Sequence, residues 1–472
     1  MNLDQIGKEG NLGYVVFISA VAALGGFLFG YDTAVISGTI TMVASQFELD
    51  SVLQGWYVSS ALIGSIGGVL VAGYISDLIG RKKAMLISSV FFFVSAVGCA
   101  LATDMLQLVL FRICGGIGIG MISIISPMYI SEIAFAKYRG AMVTLYQLAI
   151  TVGFLAAYLV NFELLDFSDS VGQLEGAQWN KLLVEEVWRG MLGMEAFPAL
   201  LFLLMVFLLP ESPRWLFFRG DENKSTMVLG KIYSSPAKIQ EEVHEMKLSL
   251  GEADKGNWRL LLRPNFLKAI LIGAAVAILG QFMGVNAVLY YGPTIFEQSG
   301  MSGGDALFYQ VFVGGVNVLT TILALYIIDK VGRKKLVYFG VTGMILTLLL
   351  ISGYFVKASE WNIPSYVLLI LFLAYVFFTA ISISAVIFVL LSEMYPTKIR
   401  GMAMSIAGFS LWTGTFIVGQ LTPWLLEVLS PQGTFVLFAV MCFPYMYIIW
   451  KLVPETTGKT LEEIERFWEQ KS

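Results

Sequence analysis

The sequence of 472 residues has one histidine and three cysteines, so it has few of the side chains that build metal sites and nucleophile–base pairs. The histidine, His244, lies in a polar stretch outside the apolar runs. Cys99, Cys114 and Cys442 each fall inside a long apolar run, which predicts buried free thiols rather than disulfides. We therefore expect neither an enzyme nor a bound metal or cofactor.

Charged residues are also scarce, at 14% of the chain, whereas hydrophobic residues make up 57% and the mean hydropathy is +0.76. That balance lies far outside the composition of soluble globular proteins. The apolar residues form runs long enough for a helix to cross about 30 Å of hydrocarbon. The chain is therefore predicted to be an all-α membrane protein that contacts the lipid bilayer and no nucleic acid. We predict twelve membrane-spanning helices, at 12–38, 52–76, 83–103, 106–130, 140–160, 188–210, 266–297, 304–328, 335–356, 364–395, 401–425 and 433–453.

The two halves of the chain carry the same motifs in the same order. Asp-x-x-Gly-Arg-Lys-Lys occurs at 77–83 and at 329–335, and Ser-Glu occurs at 131–132 and at 392–393. A duplicated membrane chain is typical of secondary transporters, whose substrate site lies where the repeats meet. We predict an N-terminal six-helix bundle at 1–210, a cytoplasmic helical linker at 211–265, a C-terminal six-helix bundle at 266–453 and a cytoplasmic tail at 454–472. Apolar residues at helical spacing predict an amphipathic stripe in the linker, at Ile239, Val243 and Met246, and another in the tail, at Leu461, Ile464 and Phe467.

The positions of lysine and arginine predict the orientation. With the N-terminus in the cytoplasm, only Lys181, Arg189 and Lys357 fall in outer loops, and Arg112 lies within a span. We therefore predict a multi-pass protein of the plasma (bacterial inner) membrane with both termini cytoplasmic. The first apolar run is too long for a cleavable signal and is predicted to be a retained helix. No feature requires a dimer, so a monomer is expected.

Three charged residues lie inside predicted spans, where charge is costly. Asp32, Arg112 and Glu195 each lie about two helical turns from the outer end of their span, so they are expected at a similar depth. Two acids and one base at one level form either a structural ion pair or a switch in which Arg112 and a proton compete for Asp32. We interpret the three as candidate proton-coupling residues and keep both alternatives.

The seventh predicted span is rich in polar side chains. Gln281 and Asn286 offer donors and acceptors that suit a hydroxyl-rich ligand, and Tyr290 and Tyr291 add apolar area with a polar tip. On a straight helix the two carboxamides would not share a face, since five residues rotate the chain by about 140°. The glycines and Gly292-Pro293 offer places to break it. Polar contacts between helices are the alternative explanation.

Six charged residues at predicted cytoplasmic helix ends form a candidate gate, in which they are expected to pair across the two halves when the cytoplasmic side is closed and to separate when it opens. Exposed ion pairs contribute only about 0–1 kcal/mol each, which suits contacts that form and separate in every cycle. A simple role as topology anchors fits equally well. The six residues are Arg81, Glu132, Arg139, Arg333, Glu393 and Arg400.

Together these motifs make the chain resemble the sugar porters of the major facilitator superfamily over essentially its whole length. The most specific is Pro210-Glu-Ser-Pro-Arg214, and Gly25-Gly26-Phe-Leu-Phe-Gly-Tyr-Asp32 and Pro454-Glu-Thr-Thr-Gly458 agree with it. The resemblance implies two six-helix bundles that alternate access to a central monosaccharide. By position it assigns sugar contacts to Gln147, Gln281, Asn286, Asn317 and Trp412, and we add Tyr290, Tyr291 and Phe388 to the same site.

Asp32 decides the expected mechanism. Proton-coupled bacterial members of the family carry aspartate there, paired with the arginine that matches Arg112, whereas animal facilitative glucose carriers carry asparagine. The resemblance therefore implies a proton symporter. A facilitator in which Asp32 is structural is the main alternative, and a sugar sensor is a further one.

Several positions depart from the family pattern. Gly280 stands where the family has a second glutamine, Ser384-Ala385 replaces Gly-Pro, Phe388 replaces tryptophan, and Phe135 replaces proline. A pocket without one carboxamide and one indole nitrogen is compatible with a pentose, another hexose or a cyclitol. The sequence therefore leaves the sugar open.

Overall fold

The computed structural model describes the backbone of residues 10–251, 261, 263–396 and 399–455. The side chains of Ala136, 249–251, Asn265, Asp329 and Phe388 lie outside the described part, and so does the predicted apolar stripe of the tail. Within the described ranges the chain is helical, and its only β-type pairing is an isolated antiparallel bridge between Gly10 and Tyr233.

The described α-helices fall into two series along the chain. The first comprises α1 (Leu12–Val35), α2 (Ile40–Gln46), α3 (Ser51–Ile79), α4 (Arg81–Leu101), α5 (Met105–Ile133), α6 (Arg139–Val171), α7 (Ala177–Asn180), α8 (Val187–Gly193), α9 (Ala196–Val206), α10 (Pro213–Phe218), α11 (Glu222–Ile232) and α12 (Pro236–Gly251). The second comprises α13 (Pro264–Phe282), α14 (Val285–Gln298), α15 (Gly303–Val331), α16 (Arg333–Trp361), α17 (Ser365–Thr379), α18 (Ala385–Met394), α19 (Arg400–Val428) and α20 (Ser430–Lys451).

Among the described residues, 12 helical stretches are long and apolar enough to cross a membrane, as predicted. The fifth runs over Arg139–Val171, beyond the predicted end at 160, so the supposed outer loop begins as helix. In order, spans 1 to 12 are Leu12–Gly38, Ser51–Ile79, Arg81–Leu101, Met105–Ile133, Arg139–Val171, Val187–Val206, Phe266–Gln298, Gly303–Ile328, Arg333–Trp361, Ser365–Met394, Arg400–Val428 and Ser430–Lys451.

Contacts group the described residues into two compact units that do not coincide with the two halves of the sequence. Unit 1 is built from Met1–Asp32, Gly64–Gly153 and Gly193–Gly256, and unit 2 from Thr33–Ile63, Phe154–Leu192 and Asn257–Ser472. Unit 2 therefore contains first-half segments packed with second-half helices. The sequence-based domain boundaries remain predictions.

The linker forms a small helical layer in unit 1. Its apolar core is Phe217, Leu229 and Met246, and partly buried Ile239 and Val243 pack against it. The predicted amphipathic stripe of this segment is therefore confirmed for α12. His244 lies on the exposed side of the same helix, as expected.

Span 7 is broken into α13 and α14 at Gly284. This residue has φ of 90°, a left-handed conformation that glycine adopts without strain. The Met283 carbonyl at the break accepts a hydrogen bond of 2.7 Å from the Tyr375 hydroxyl, so the interruption leaves this group satisfied. The expectation that glycine breaks this span is confirmed.

We expect Gly284→Ala to lower the melting temperature of the purified protein. Alanine at this φ is strained, at a cost of about 1–3 kcal/mol, and its Cβ would lie 2.5 Å from Phe438 Cδ2. Gly280→Ala is the matched control, because its Cβ would meet Tyr445 and Ile383 only at 3.7 and 3.8 Å. Equal melting temperatures for the two variants would contradict this account.

Candidate functional site

The centre of the candidate site in unit 1 is a buried ion pair between spans 1 and 4. Arg112 Nη1 lies 2.8 Å from Asp32 Oδ1, and the two side chains are only 3% and 2% exposed. Glu195, which is 2% exposed, lies at the interruption between α8 and α9 in span 6. The expectation that the two acids and the base meet at one level is confirmed.

The carboxyl groups of Asp32 and Glu195 and the guanidinium of Arg112 form one buried electrostatic cluster. Asp32 Oδ2 and Glu195 Oε1 are both buried, and neither has a hydrogen-bond partner among the described residues. Carboxylate oxygens only accept, so two ionised groups in contact repel, whereas one added proton supplies a donor. The arrangement of two carboxyl groups and one guanidinium is suited to hold a single exchangeable proton.

Span 3 contributes two uncharged neighbours that the sequence analysis did not assign to this site. The Cys99 thiol lies near all three charged groups and within hydrogen-bonding reach of the Ser95 hydroxyl. Gly115 allows this approach, since a Cβ there would lie 2.5 Å from Ser95 Oγ. The four-residue spacing of Ser95 and Cys99 on a helix was the signal available in the sequence. Cys99 and Cys442 are buried free thiols as predicted, whereas Cys114 is only half-buried.

A second polar cluster lies in unit 2, around the break in span 7. Asn286 Nδ2 donates to Gln281 Oε1 at 2.7 Å, and Thr415 Oγ1 of span 11 donates to the same oxygen at 3.2 Å. The two carboxamides meet because Gly284 ends the straight helix between them. Within the described residues, this leaves Gln281 Nε2 as a donor and Asn286 Oδ1 as an acceptor, which is the pairing that a sugar hydroxyl requires.

The remaining predicted sugar contacts are distributed over both units. Tyr290, Asn317 and Trp412 are buried in unit 2, and the Tyr291 hydroxyl donates to the Gly419 carbonyl at 2.6 Å. Gln147 is half-buried in unit 1, and the side chain of Phe388 lies outside the described residues. The sugar-contacting role of these six residues stays a prediction.

The two ion pairs seen among the candidate gate residues join residues of the same sequence half, whereas the prediction was of pairs across the halves. The Arg81 guanidinium donates to both carboxylate oxygens of Glu132 at 3.1 Å and to Asp77 at 2.9 Å. The expectation of exposed pairs is wrong here, because the Arg81 and Glu132 side chains are only 9% and 8% exposed.

The second half shows the corresponding pair. Arg333 Nη2 lies 3.0 Å from Glu393 Oε1, with both side chains mostly buried. Arg400 donates to the Tyr395 carbonyl at 3.4 Å, and Arg139 is exposed. The role of all six residues in gating stays a prediction.

Glu211 of the Pro-Glu-Ser motif fixes the start of span 3. Its Oε1 accepts from the backbone N–H groups of Arg81, Lys82 and Ser212, at 2.8, 3.1 and 2.9 Å. The first two are N-terminal N–H groups of α4, which have no partner inside the helix. Burial raises the pKa of Glu211 and outweighs these bonds, which lower it. The Pro-Glu-Ser motif is visible in the sequence, but nothing in the sequence predicts that Glu211 caps the N-terminus of α4.

We expect Glu211→Ala to destabilise the protein more than Glu211→Gln. Alanine leaves the three N–H groups without this acceptor, at about 1–3 kcal/mol for a buried group, whereas the glutamine carbonyl can replace it. Because the folded pKa is raised, ionised Glu211 destabilises the fold as the pH rises through that pKa. The melting temperature of wild type relative to Glu211→Gln should therefore fall as the pH rises from the ordinary glutamate pKa of about 4.3 through the raised pKa of Glu211. Identical pH profiles would contradict the assignment.

Comparisons with known proteins agree with this geometry. A sequence model of the family described as Sugar (and other) transporter matches residues 18–468. The chain is 38% identical over 491 residues to the D-xylose-proton symporter of Escherichia coli (strain K12), covering 97% of this chain and 96% of that protein. It is 35% identical over 466 residues to the arabinose-proton symporter of Bacillus subtilis (strain 168), covering 98% and 96%. Its fold matches the inward open conformation of the xylose transporter XylE from E. coli, with a TM-score of 0.81 and 35% identity over 96% of this chain and 100% of that one.

Proposed function

Because the chain belongs to the sugar transporter family, we propose that it imports a monosaccharide together with a proton by alternating access. Its all-α architecture of 12 candidate spans is the major facilitator fold, in which two six-helix bundles are joined by a helical linker. The observation that carries the proposal is the buried cluster of Asp32, Arg112 and Glu195.

Charge balance explains how this cluster couples transport to a proton. Arg112 neutralises one of the two carboxylates, and burying the other in ionised form costs several kcal/mol. One proton shared by Asp32 and Glu195 makes the cluster neutral. In the proposed cycle Asp32 takes a proton from outside, and Arg112 reclaims the carboxylate when the proton leaves inside. One proton moving down about 100 mV supplies about 2.3 kcal/mol, enough for roughly 50-fold accumulation.

The sugar is proposed to bind at the carboxamide cluster of unit 2. Gln281 Nε2 and Asn286 Oδ1 offer one donor and one acceptor, and Thr415 holds the Gln281 carbonyl in place. Gly280 stands where the family has a second glutamine, so this carboxamide is missing from the proposed site. The two similar symporters from E. coli and B. subtilis are named for xylose and arabinose, which are pentoses. Pentoses are therefore the first candidates for the sugar, ahead of hexoses and cyclitols.

The remaining sequence predictions complete the proposal. The protein is a monomer of the plasma (bacterial inner) membrane with both termini cytoplasmic, and it has no enzymatic activity. The pairs Arg81–Glu132 and Arg333–Glu393, with Arg139 and Arg400, close and open the cytoplasmic side. Support comes from the distribution of lysine and arginine and from the two ion pairs.

The alternative is a facilitator in which Asp32 and Arg112 are purely structural. Their short, fully buried contact is also the geometry of a permanent ion pair. Adding sugar to de-energised vesicles separates the two functions, since a symporter alkalinises the outer medium and a facilitator does not.

We expect Asp32→Asn to retain exchange of labelled sugar in proteoliposomes and to lose accumulation against a gradient. The amide keeps the shape of the side chain but cannot ionise, so it can neither bind and release the transported proton nor pair with Arg112 as a carboxylate. Asp104→Asn is the control, because Asp104 is an exposed N-cap where asparagine also caps a helix. Accumulation at the wild-type level by Asp32→Asn would rule out coupling through this residue.

We expect Gln281→Ala to weaken sugar binding by roughly 5- to 150-fold, as for the loss of hydrogen bonds worth about 1–3 kcal/mol. Thr415→Val should weaken it less, because it removes the bond that orients Gln281 and a bond to the Leu411 carbonyl of its own helix, but it keeps both carboxamides. Tryptophan fluorescence titration against pentoses, hexoses and inositols measures both effects. Thr413→Val is the matched control on span 11, since its hydroxyl bonds only to its own helix at Phe409. Unchanged affinity in Gln281→Ala would move the sugar site elsewhere.

A further inference from the structure

Pro293 leaves a backbone carbonyl of span 7 without its helical partner. A residue four positions after a helical carbonyl normally donates its N–H, and proline has none. The freed carbonyl is that of Leu289. It accepts a bond of 2.9 Å from the Tyr158 hydroxyl of span 5 and one of 3.2 Å from Gln310 Nε2 of span 8. The Tyr158 hydroxyl and the Gln310 amide therefore donate to the same oxygen, which is free to accept them because Pro293 lies four residues later in α14.

Span 11 contains a second carbonyl that a proline leaves without its helical donor. Pro423 frees the carbonyl of Gly419, and the Tyr291 hydroxyl of α14 donates to it at 2.6 Å. Tyr158 and Tyr291 are each 1% exposed. The two bonds differ in what they connect: Tyr291 joins two spans of the second half, whereas Tyr158 joins a first-half span to a second-half span.

Gln310, the second donor to the Leu289 carbonyl, is buried among its neighbours. It is 0% exposed, and its Oε1 has no hydrogen-bond partner among the described residues. Gly292 makes room for it, since a Cβ there would lie 2.1 Å from Gln310 Oε1. Gln310 and Leu289 both belong to the second half, so their bond does not depend on span 5.

Packing holds the Tyr158 ring independently of its hydroxyl. Gly314 of span 8 lets the ring approach closely, because a Cβ there would lie 2.8 Å from Tyr158 Cδ2. Phe154, one turn earlier, lies with its ring centroid 6.2 Å from that of Tyr158. Tyr158→Phe therefore keeps this packing and removes only the donor to Leu289.

We propose that the Leu289 carbonyl is a switchable acceptor, with Tyr158 and Gln310 as its two positioning residues. This proposal rests on the alternating-access function proposed above. Tyr158 donates while spans 5 and 7 are joined, and Gln310 keeps the carbonyl satisfied when Tyr158 withdraws. Without Gln310, separation would leave a buried carbonyl with no donor, which strongly disfavours the separated state.

The two residues are therefore expected to shift the conformational equilibrium in opposite directions. Tyr158→Phe weakens only the joined state, so the population with spans 5 and 7 separated should rise by roughly 2- to 10-fold, the factor for one net hydrogen bond. Gln310→Met keeps the length of the side chain but removes the second donor, so the separated population should fall. Tyr129→Phe is the matched control and should leave this population unchanged, because the buried Tyr129 hydroxyl donates to the Pro210 carbonyl at 2.9 Å and both residues belong to the first half.

Hydrogen–deuterium exchange of the full-length protein in lipid nanodiscs measures these populations. Peptides from 154–165 and 285–298 should exchange faster in Tyr158→Phe and more slowly in Gln310→Met than in wild type. Shifts in the same direction for Tyr158→Phe and Gln310→Met, or equal shifts in Tyr158→Phe and Tyr129→Phe, would overturn the proposal. Wild-type sugar uptake, assayed in parallel, tests the function separately: opposite shifts without uptake would reject the transporter function while supporting the switch.

Discussion

Every backbone polar group that a span exposes by breaking its helix needs a partner, because hydrocarbon offers none. Span 7 exposes two such carbonyls, at Met283 and Leu289, and span 11 exposes one at Gly419. Each accepts a bond from a tyrosine hydroxyl on another span. In unit 2 the interruptions of the helices therefore also create contacts between spans, because the carbonyl oxygens that they free accept hydrogen bonds from tyrosines of neighbouring spans.

The polar chemistry of unit 2 follows from this constraint. A straight span 7 would separate Gln281 and Asn286 around the helix, whereas the break at Gly284 brings them within 2.7 Å. The bond between the two carboxamides and the bond from Thr415 fix the direction of the remaining donor, Gln281 Nε2, and of the remaining acceptor, Asn286 Oδ1. Such pre-oriented groups bind a hydroxyl with less loss of side-chain entropy than two free carboxamides. The Tyr375 hydroxyl, which satisfies the break, is therefore also part of what orients the proposed sugar site.

The sequence predicted features that depend on local patterns and missed those that depend on distant partners. Apolar run length predicted 12 spans, and the scarcity of intramembrane charge singled out Asp32, Arg112 and Glu195. The partners of Tyr158 and Glu211 are backbone groups, which every residue has, so no sequence pattern identifies them. Arg81 was expected to be exposed because it lies at a helix end, but its contacts with Glu132 and Asp77 and the cap at Glu211 leave it buried.

Two of the proposed proton-coupling residues, Asp32 and Glu195, lie close to points where the chain passes from one unit to the other. Span 1 passes from unit 1 to unit 2 between Asp32 and Thr33, and span 6 passes back between Leu192 and Gly193, just before Glu195. A change of charge at either carboxyl group therefore acts on a span that is covalently part of both units. Tyrosine–carbonyl bonds join spans within unit 2, whereas the cluster of Asp32, Arg112 and Glu195 lies in unit 1 and has one more carboxyl group than guanidinium groups. In the proposed cycle, the proton therefore binds next to the points where spans 1 and 6 pass along the chain from one unit to the other.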